Sequence, residues 1–468
     1  MKHSTERGNF GSKLGIILAT AGSAVGLGNV WRFPYMTGEN GGAAFILIYL
    51  ICVLILGIPC MVSEFIIGRR GAVNACRVYE KVAVESGRKS WFSAHFFPKF
   101  IGYLGILTGF LIISYYAVVS GWCLQYIYAS GTGQLQGDVN YVTKYFQEFS
   151  SSAVMPVVWT VVILVMSHLI ICRGVRGGIE KAAKLLMPLL FILLLVIVVV
   201  SCMLPGASKG IAFLLKPDFS VVNSNVFLGA LGQSFYSLSI GMGALCTYAT
   251  YFNRQTNLVS SAVQISLVDS LVAILAGLMI FPAAFSVGVS PDSGASLVFI
   301  TLPNVFSQAF ASFPTVGWII ALLFYMLLSL AALTSLMSLH EVLTAFFVEE
   351  FHLSRNRATL LVTVQACAVG ALCSLSMGSA DITVAGRSLF DVFDFVSGQI
   401  FLPLGGFLTC LFLGWGVSKR LVKEEFFTGF NPSRTVVGQL VFSVFIFLIR
   451  VVCPIAIAAI FLHQFDVI

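Results

Sequence analysis

Apolar residues run along this chain in long blocks, joined by short polar stretches, from residue 14 to residue 463. A helix that crosses the hydrocarbon core of a membrane needs about 20 such residues. The pattern predicts eleven crossings, near 14–36, 43–68, 97–128, 153–171, 182–203, 226–252, 259–288, 315–348, 358–377, 388–415 and 436–462. Several exceed the minimum, which permits tilt without specifying it. Arg450 falls near the middle of the last block. Two connections on one side are longer than the rest. Residues 129–152 carry Gly, Gln and aromatic side chains, and 289–314 carry Pro291, Pro303 and Pro314. Either is placed to cap a vestibule. On the other side the basic stretch 69–96 reads as a short interfacial helix.

Composition sharpens this picture. Only 10% of the 468 residues are charged and 58% are hydrophobic, where a soluble domain carries about 25% charged residues. So few charges cannot cover a surface unless lipid covers most of it. No linker interrupts the blocks, so residues 1–468 read as one integral domain. The net charge of +7 could suggest nucleic acid, but its distribution argues otherwise. With a cytoplasmic N-terminus, 21 of the 27 Lys and Arg residues fall in inside segments, leaving Lys144, Lys209, Lys216 and Arg387 outside and Arg32 and Arg450 within spans. That bias is the positive-inside rule. It predicts a multi-pass plasma-membrane protein with its N-terminus cytoplasmic and, after an odd number of crossings, its C-terminus outside. The lack of an Asn-x-Ser/Thr sequon agrees with a prokaryotic membrane. Ala19-Thr20-Ala21 resembles a signal cleavage site, but the apolar stretch before it is only about six residues, short for a signal core. The 11 Cys residues lie mostly in apolar runs without Cys-x-x-Cys spacing, and read as core or lipid-facing thiols rather than a disulfide or metal framework.

Two crossings are interrupted. The first contains Ala21-Gly22-Ser23-Ala24-Val25-Gly26-Leu27-Gly28-Asn29, and the sixth contains Ser237-Leu238-Ser239-Ile240-Gly241-Met242-Gly243. Each sets a Gly-x-Gly at mid-membrane among small hydroxyl residues. Close helix packing alone explains one such motif. Two of them, at matching places five spans apart, point to a transporter binding site built on broken helices. They divide the chain into five-span halves, 14–203 and 226–415, with 436–462 as an additional helix.

Longer motifs carry a family resemblance. The first span reads Gly22-Ser23-Ala24-Val25-Gly26-Leu27-Gly28-Asn29-Val30-Trp31-Arg32-Phe33-Pro34-Tyr35, followed by Glu39-Asn40-Gly41-Gly42. Glu64 with Gly68-Arg69, Tyr115-Tyr116, Gly232-Gln233-Ser234-Phe235-Tyr236-Ser237-Leu238-Ser239, Leu333-Thr334-Ser335 and Asp394-Phe395 continue the series in order. Together they resemble the neurotransmitter:sodium symporter family, in particular its bacterial amino-acid transporters. The resemblance implies an all-α polytopic fold of 11 transmembrane helices: a 5+5 inverted repeat with helices 1 and 6 broken, plus one C-terminal helix. Members often have twelve spans, so any oligomer contact made through a twelfth is not expected. The oligomeric state is left open.

By the same resemblance the chain would import a neutral amino acid with sodium, using two sodium sites. One would take the carbonyls of Ala24 and Ser237 with the side chains of Asn29, Ser237 and Asp269, completed by the substrate carboxylate. The other would take carbonyls of Gly22, Val25 and Ala331 with the hydroxyls of Thr334 and Ser335, although Ser and Thr in membrane helices often bond back to their own helix instead. Many relatives carry Asn where this chain has Asp269, and chloride balances the sodium charge in some. An aspartate at a helix centre costs about 2.5–3.5 kcal/mol on insertion scales, so Asp269 is expected to face sodium and remove any chloride requirement. A register shifted by one would place Val268 there, and a structural Asp269 bonded to a neighbouring helix is the other reading. The substrate carboxylate would meet the N–H groups of Leu27 and Gly28 and the Tyr116 hydroxyl. Its ammonium would meet carbonyls of Ala24 and Tyr236 and the Ser239 hydroxyl, with Ser23 and Ser237 alongside. Amine-carrying relatives have Asp at the position of Gly26, so an amino acid fits better here. Ile112, Tyr236, Met242, Ser335 and Leu339 would hold a bulky hydrophobic or aromatic side chain.

Gates complete the expectation. Arg32 and Asp394 would close the outer side directly or through water, with Gln233 steadying Arg32 and Tyr116 and Tyr236 forming a lid. Arg7 and Glu349 would close the inner side over Phe10, with Tyr251 as an anchor; an ordinary solvated interface is the alternative for the charged pair. Glu64, expected against the first span, would accept N–H groups freed by the breaks. Arg450, His340 and Glu341 have no assigned role, and His340 reads most simply as a satisfied bundle residue. A proton-coupled or exchange transporter on the same fold is the competing function. A channel lacks a filter motif or charged ring, and an enzyme lacks a His-Glu-x-x-His helix or a base beside any serine.

Overall fold

No water meets a bare peptide group inside a bilayer, so a lipid-exposed crossing must satisfy its own backbone by winding into helix. The structure, a computed structural model, describes residues 10–88, 90, 92–288, 298–378, 380, 382–429 and 436–464. Among the described residues, eleven spans follow one another. Span 1 is Lys13–Ala24 and Gly28–Glu39, bent by 53° between the two pieces. Spans 2, 3, 4 and 5 are Ala43–Gly71, Ser93–Gly131, Met155–Ile171 and Val175–Cys202. Span 6 is Ser224–Ser237 and Ala244–Ala249. Spans 7 to 11 are Leu258–Ser286, Pro314–Glu350, Arg355–Leu375, Leu389–Gly416 and Val436–His463. Five crossings precede span 6, so the second set enters from the opposite face. The result is the 5+5 inverted repeat with span 11 appended.

The core sits where span 8 passes the broken spans. Every residue of span 8 from Ala331 to Ala345 is buried. Such a helix is apolar nearly all round because it has no solvent or lipid face. Its exceptions, Thr334, Ser335, Ser338, His340, Glu341 and Thr344, therefore need partners inside the protein.

The connections hold more structure than hydropathy predicts. The expected interfacial helix is Ala75–Glu85, capped by the Asn74 side chain accepting from the Cys76 and Arg77 N–H groups. Helices Val139–Ser150, Ala207–Leu215 and Thr301–Ala309 and a small hairpin, Thr383–Val384 with Arg387–Ser388, were not expected. Val139–Ser150 starts at an Asp138 cap and meets span 4 at 72°. Short, mixed-polarity helices of this kind leave no long apolar block to find.

Two cations in apolar surroundings are matched. Arg450 donates to the Gly414 carbonyl at 2.6 Å and lies over the Trp415 ring, which explains a cation in an apolar block. Arg69, at the end of span 2, pairs with Glu425 of helix Lys419–Phe427 and donates to the Thr256 carbonyl. Removing one partner of a buried pair costs about 3–5 kcal/mol, and Arg70, 3.6 Å from Glu425, softens the loss. Arg69→Leu is therefore expected to cost about 3 kcal/mol, seen as a lower melting temperature of the detergent-solubilised protein. Adding Glu425→Leu is expected to restore part of it. An unchanged single variant would refute the pairing.

Candidate functional site

Where span 1 breaks, three amide donors leave their helical acceptors. The Gly26 N–H goes to Asn29 Oδ1 at 3.0 Å, the Leu27 N–H to the Tyr116 hydroxyl at 3.2 Å, and the Asn29 N–H to the Gly26 carbonyl at 3.1 Å. In an unbroken helix these donors would serve the carbonyls of Gly22, Ser23 and Val25. Those freed carbonyls turn toward span 8. The Ser335 hydroxyl lies 3.5, 3.3 and 3.4 Å from the oxygens of Gly22, Ser23 and Val25. The Thr334 hydroxyl lies 3.4 Å from the Val25 oxygen and 2.9 Å from that of Ala331. Even with the Ser239 hydroxyl on the Ser23 oxygen, three hydroxyl protons cannot serve four carbonyls. The surplus of oxygen is what a hard cation satisfies.

Span 6 opens over residues 238–243, with Ser239, Gly241 and Gly243 all at positive φ (56°, 91° and 73°). A side chain at Gly241 is impossible, since its Cβ would stand 2.3 Å from the Leu402 oxygen of span 10. The Gly241 N–H donates to Glu64 at 2.7 Å, and the Ser239 hydroxyl donates to the Ser23 carbonyl at 3.1 Å. Glu64 thus braces the break in span 6; the expectation that it sits against span 1 is corrected.

A second polar cluster lies beside the first. Asp269, fully buried in span 7, accepts from Asn29 Nδ2 at 2.7 Å, from Ser237 Oγ at 2.8 Å and from the Tyr49 hydroxyl at 3.1 Å. The carboxylate of Asp269, not Val268, is the side chain aimed at the breaks. Asn29 presents its NH2 group to Asp269 and its Oδ1 to Gly26. Holding a cation through Asn29 requires that amide to turn over, a point the sequence does not reveal. Tyr49 was not anticipated, because a tyrosine in an apolar block looks like any core aromatic.

Between the clusters lies a small cavity of about 40 Å³ lined by Ser23, Ala24, Gly26, Gly28, Ile112, Tyr116, Tyr236, Ser239, Met242, Ser335, Leu339 and Leu402. Leu27 and Ser237 do not line it: the first turns its N–H to Tyr116, and the second faces Asp269. Leu402 was missed. No charged side chain reaches the wall.

The gates differ from expectation. Arg32 lies 4.3 Å from the centroid of the Tyr236 ring and makes no direct ion pair with Asp394, which remains within electrostatic range. Gln233 donates to the Gly28 carbonyl at 3.2 Å, bracing span 1 rather than Arg32. On the other face, Arg7 lies outside the described residues. Glu349 accepts from the Asn74 backbone at 2.7 Å. Phe10 is buried 6.1 Å from the Tyr248 ring. Tyr251 donates to Glu341 at 2.8 Å, and Glu341 is held in turn by Arg355. Glu341 thereby gains a partner the sequence left open. His340 meets the Ser167 and Thr363 hydroxyls as a satisfied bundle residue.

Comparison with known proteins agrees with this geometry. The profile of the Sodium:neurotransmitter symporter family matches residues 7–148 and 138–467. The chain belongs to that family. It is a sodium-dependent membrane transporter, not an enzyme. An uncharacterized sodium-dependent transporter of Bacillus subtilis (strain 168), YhdH, is 36% identical over 97% of both chains. A Haemophilus influenzae counterpart is 35% identical over 90% of this chain and 92% of its own. The crystal structure of MhsT in complex with L-phenylalanine superposes with a TM-score of 0.85 at 40% identity, over 97% of this chain and 99% of that one.

The brace on span 6 of this symporter is testable. Glu64→Leu leaves the Gly241 N–H buried without an acceptor, a loss of about 1–3 kcal/mol. The expected result is a lower melting temperature, with Glu64→Gln, which keeps an acceptor oxygen, close to wild type. Equal stability of Glu64→Leu would remove the brace.

Proposed function

We propose that this chain imports a neutral, bulky hydrophobic or aromatic L-amino acid together with sodium, by alternating access, without requiring chloride. The observation that carries the reading is the cluster of freed carbonyls at Gly22, Ser23 and Val25 beside an uncharged cavity. Exposed amides and carbonyls suit a zwitterion, and the helix N-terminus after the break favours its carboxylate. Gly26 supports an amino acid over an amine, since any side chain there would collide with Ser335 and Tyr116. Ile112, Leu339, Met242 and Leu402 offer apolar contact to a large side chain, in keeping with the L-phenylalanine in the related MhsT complex. A relative from Drosophila erecta, 24% identical over 85% of this chain and 69% of its own, is named a nutrient amino acid transporter.

Two sodium ions would travel with the substrate. One sits among Gly22, Val25, Ala331, Thr334 and Ser335. The other sits among Ala24, Asn29, Ser237 and Asp269, completed by the substrate carboxylate. A shared ligand makes each partner bind better when the other is present, and the coupling is reciprocal. Asp269 supplies the negative charge that an anion would otherwise provide. Charge bias along the loops places the N-terminus in the cytoplasm and the C-terminus outside.

Radiolabelled amino-acid uptake into proteoliposomes, with sodium, chloride and pH varied separately, tests the proposal. Uptake that persists when sodium is replaced would instead favour proton coupling or exchange. Asp269→Asn removes a charge-assisted ligand worth about 1.5–3 kcal/mol. It is expected to raise the sodium concentration for half-maximal uptake by roughly tenfold or more and to make uptake respond to chloride. Unchanged sodium and chloride dependence would refute the role of Asp269. Met242→Phe narrows the cavity and is expected to shift preference from aromatic toward smaller amino acids in competition assays; an identical profile would remove Met242 from the pocket.

A further inference from the structure

Cys60, Cys410 and Cys453, from spans 2, 10 and 11, bring three buried sulfur atoms within 4.8 Å of one another. The sulfurs of Cys60 and Cys410 are 3.3 Å apart. Each cysteine adjoins a widened helical turn: Val53–Gly57, Phe412–Gly416 and Leu448–Val452. Such turns interrupt the regular ladder and recur at functional sites.

Two chemistries suit clustered thiols. A zinc ion on three thiolates leaves uncompensated negative charge in an apolar interior, one helical turn from the buried Glu64, and such charge is costly there. A disulfide is neutral and needs only that two sulfurs close from 3.3 Å to about 2.05 Å. The surroundings therefore favour oxidation over metal binding. All three cysteines are buried, with lipid-facing Val451 two residues from Cys453, so an oxidant that reaches them must be small and uncharged.

We infer that Cys60 and Cys410 form a site of reversible oxidation by hydroperoxides, closing a disulfide that clamps spans 2 and 10 across the break in span 6. One thiol attacks the peroxide, the O–O bond breaks, an alcohol or water leaves, and a sulfenic acid forms. The second thiol attacks that sulfur, the S–S bond forms, and water leaves. Two electrons pass from the two thiols to the peroxide. Cys60 is one helical turn from Glu64, which holds the Gly241 N–H. Cys410 is one turn from Gly406, whose backbone lies against Gly241. The bridge thus joins both supports of the hinge. Its effect on uptake rests on the transport cycle proposed above; its formation does not.

The test treats protein in proteoliposomes with hydrogen peroxide, blocks remaining thiols with N-ethylmaleimide and maps peptides by mass spectrometry. The expected product is a joined Cys60–Cys410 peptide about 2 Da lighter than the sum of its parts, with sodium-driven uptake lost and then restored by dithiothreitol. Cys410→Ser, or Cys60→Ala should that variant fold poorly, is expected to transport normally and to resist peroxide. The site is overturned if both cysteines stay alkylatable after peroxide, or if the purified protein carries stoichiometric metal that shields all three thiols. The clamp is overturned if the bridge forms while uptake is unchanged. Absence of uptake before oxidation would bear on the transport reading alone, because the thiol map needs no transport.

Discussion

A peptide group in the middle of a bilayer must find a partner, and the whole site follows from how this chain reassigns three of them. Leaving an amide unpaired in hydrocarbon costs several kcal/mol, so a span cannot simply stop winding. Span 1 unwinds only because Asn29 Oδ1, the Tyr116 hydroxyl and the Gly26 carbonyl receive the displaced N–H groups. Span 6 does so because Glu64 receives the N–H of Gly241. Once the donors are satisfied elsewhere, their former acceptors face inward with surplus lone pairs. Cation affinity is thus the complement of the backbone repair.

Asp269 shows the same economy in charge. Three donors hold its carboxylate, yet hydrogen bonds spread a charge without cancelling it. One of the three, Asn29, also caps Gly26 through the other end of its amide. A cation drawn to Asp269 would favour turning that amide, which would withdraw the cap from the Gly26 N–H next to the cavity wall. An N–H left bare there would be a ready donor for a carboxylate. Ion and zwitterion would then be linked through a single side chain as well as through any shared ligand.

The spans were legible because a bilayer imposes length and apolarity on local sequence, and that signature survives in most of the crossings. The breaks were legible for a related reason: paired glycines with hydroxyl neighbours are rare enough at matching depths to stand out. What escaped lies in contacts between residues 90 to 350 positions apart. Tyr49 on Asp269, Gln233 on Gly28, Tyr251 on Glu341 and the meeting of Cys60 with Cys410 have no local pattern, since each half of the pair is ordinary in its own segment. At the outer gate the sequence left a direct pair and a water-bridged one open. Arg32 lies on the face of Tyr236 with Asp394 in electrostatic range, and only the packing of span 6 sets that spacing.

That difference bears on how the two faces open. On the outer face, a cation over an aromatic ring is worth about 0.5–2 kcal/mol, and Arg32 can leave it for water without stranding a charge. On the N-terminal face, Glu341 is fully buried and tied to both Arg355 and Tyr251. Opening there separates elements bound through a desolvated carboxylate, and a buried ion left unpaired costs about 3–5 kcal/mol. The inner seam therefore opens only if water enters as the pair parts, or if spans 8 and 9 keep Glu341 and Arg355 together while Tyr251 alone lets go. The second route disturbs less: Arg355 leads span 9 directly after span 8, whereas Tyr251 follows the inner half of span 6. The ion pair then stays within one wall, and the inner half of span 6 parts from it by breaking hydrogen bonds that include Tyr251 to Glu341 and Tyr248 to Ser338.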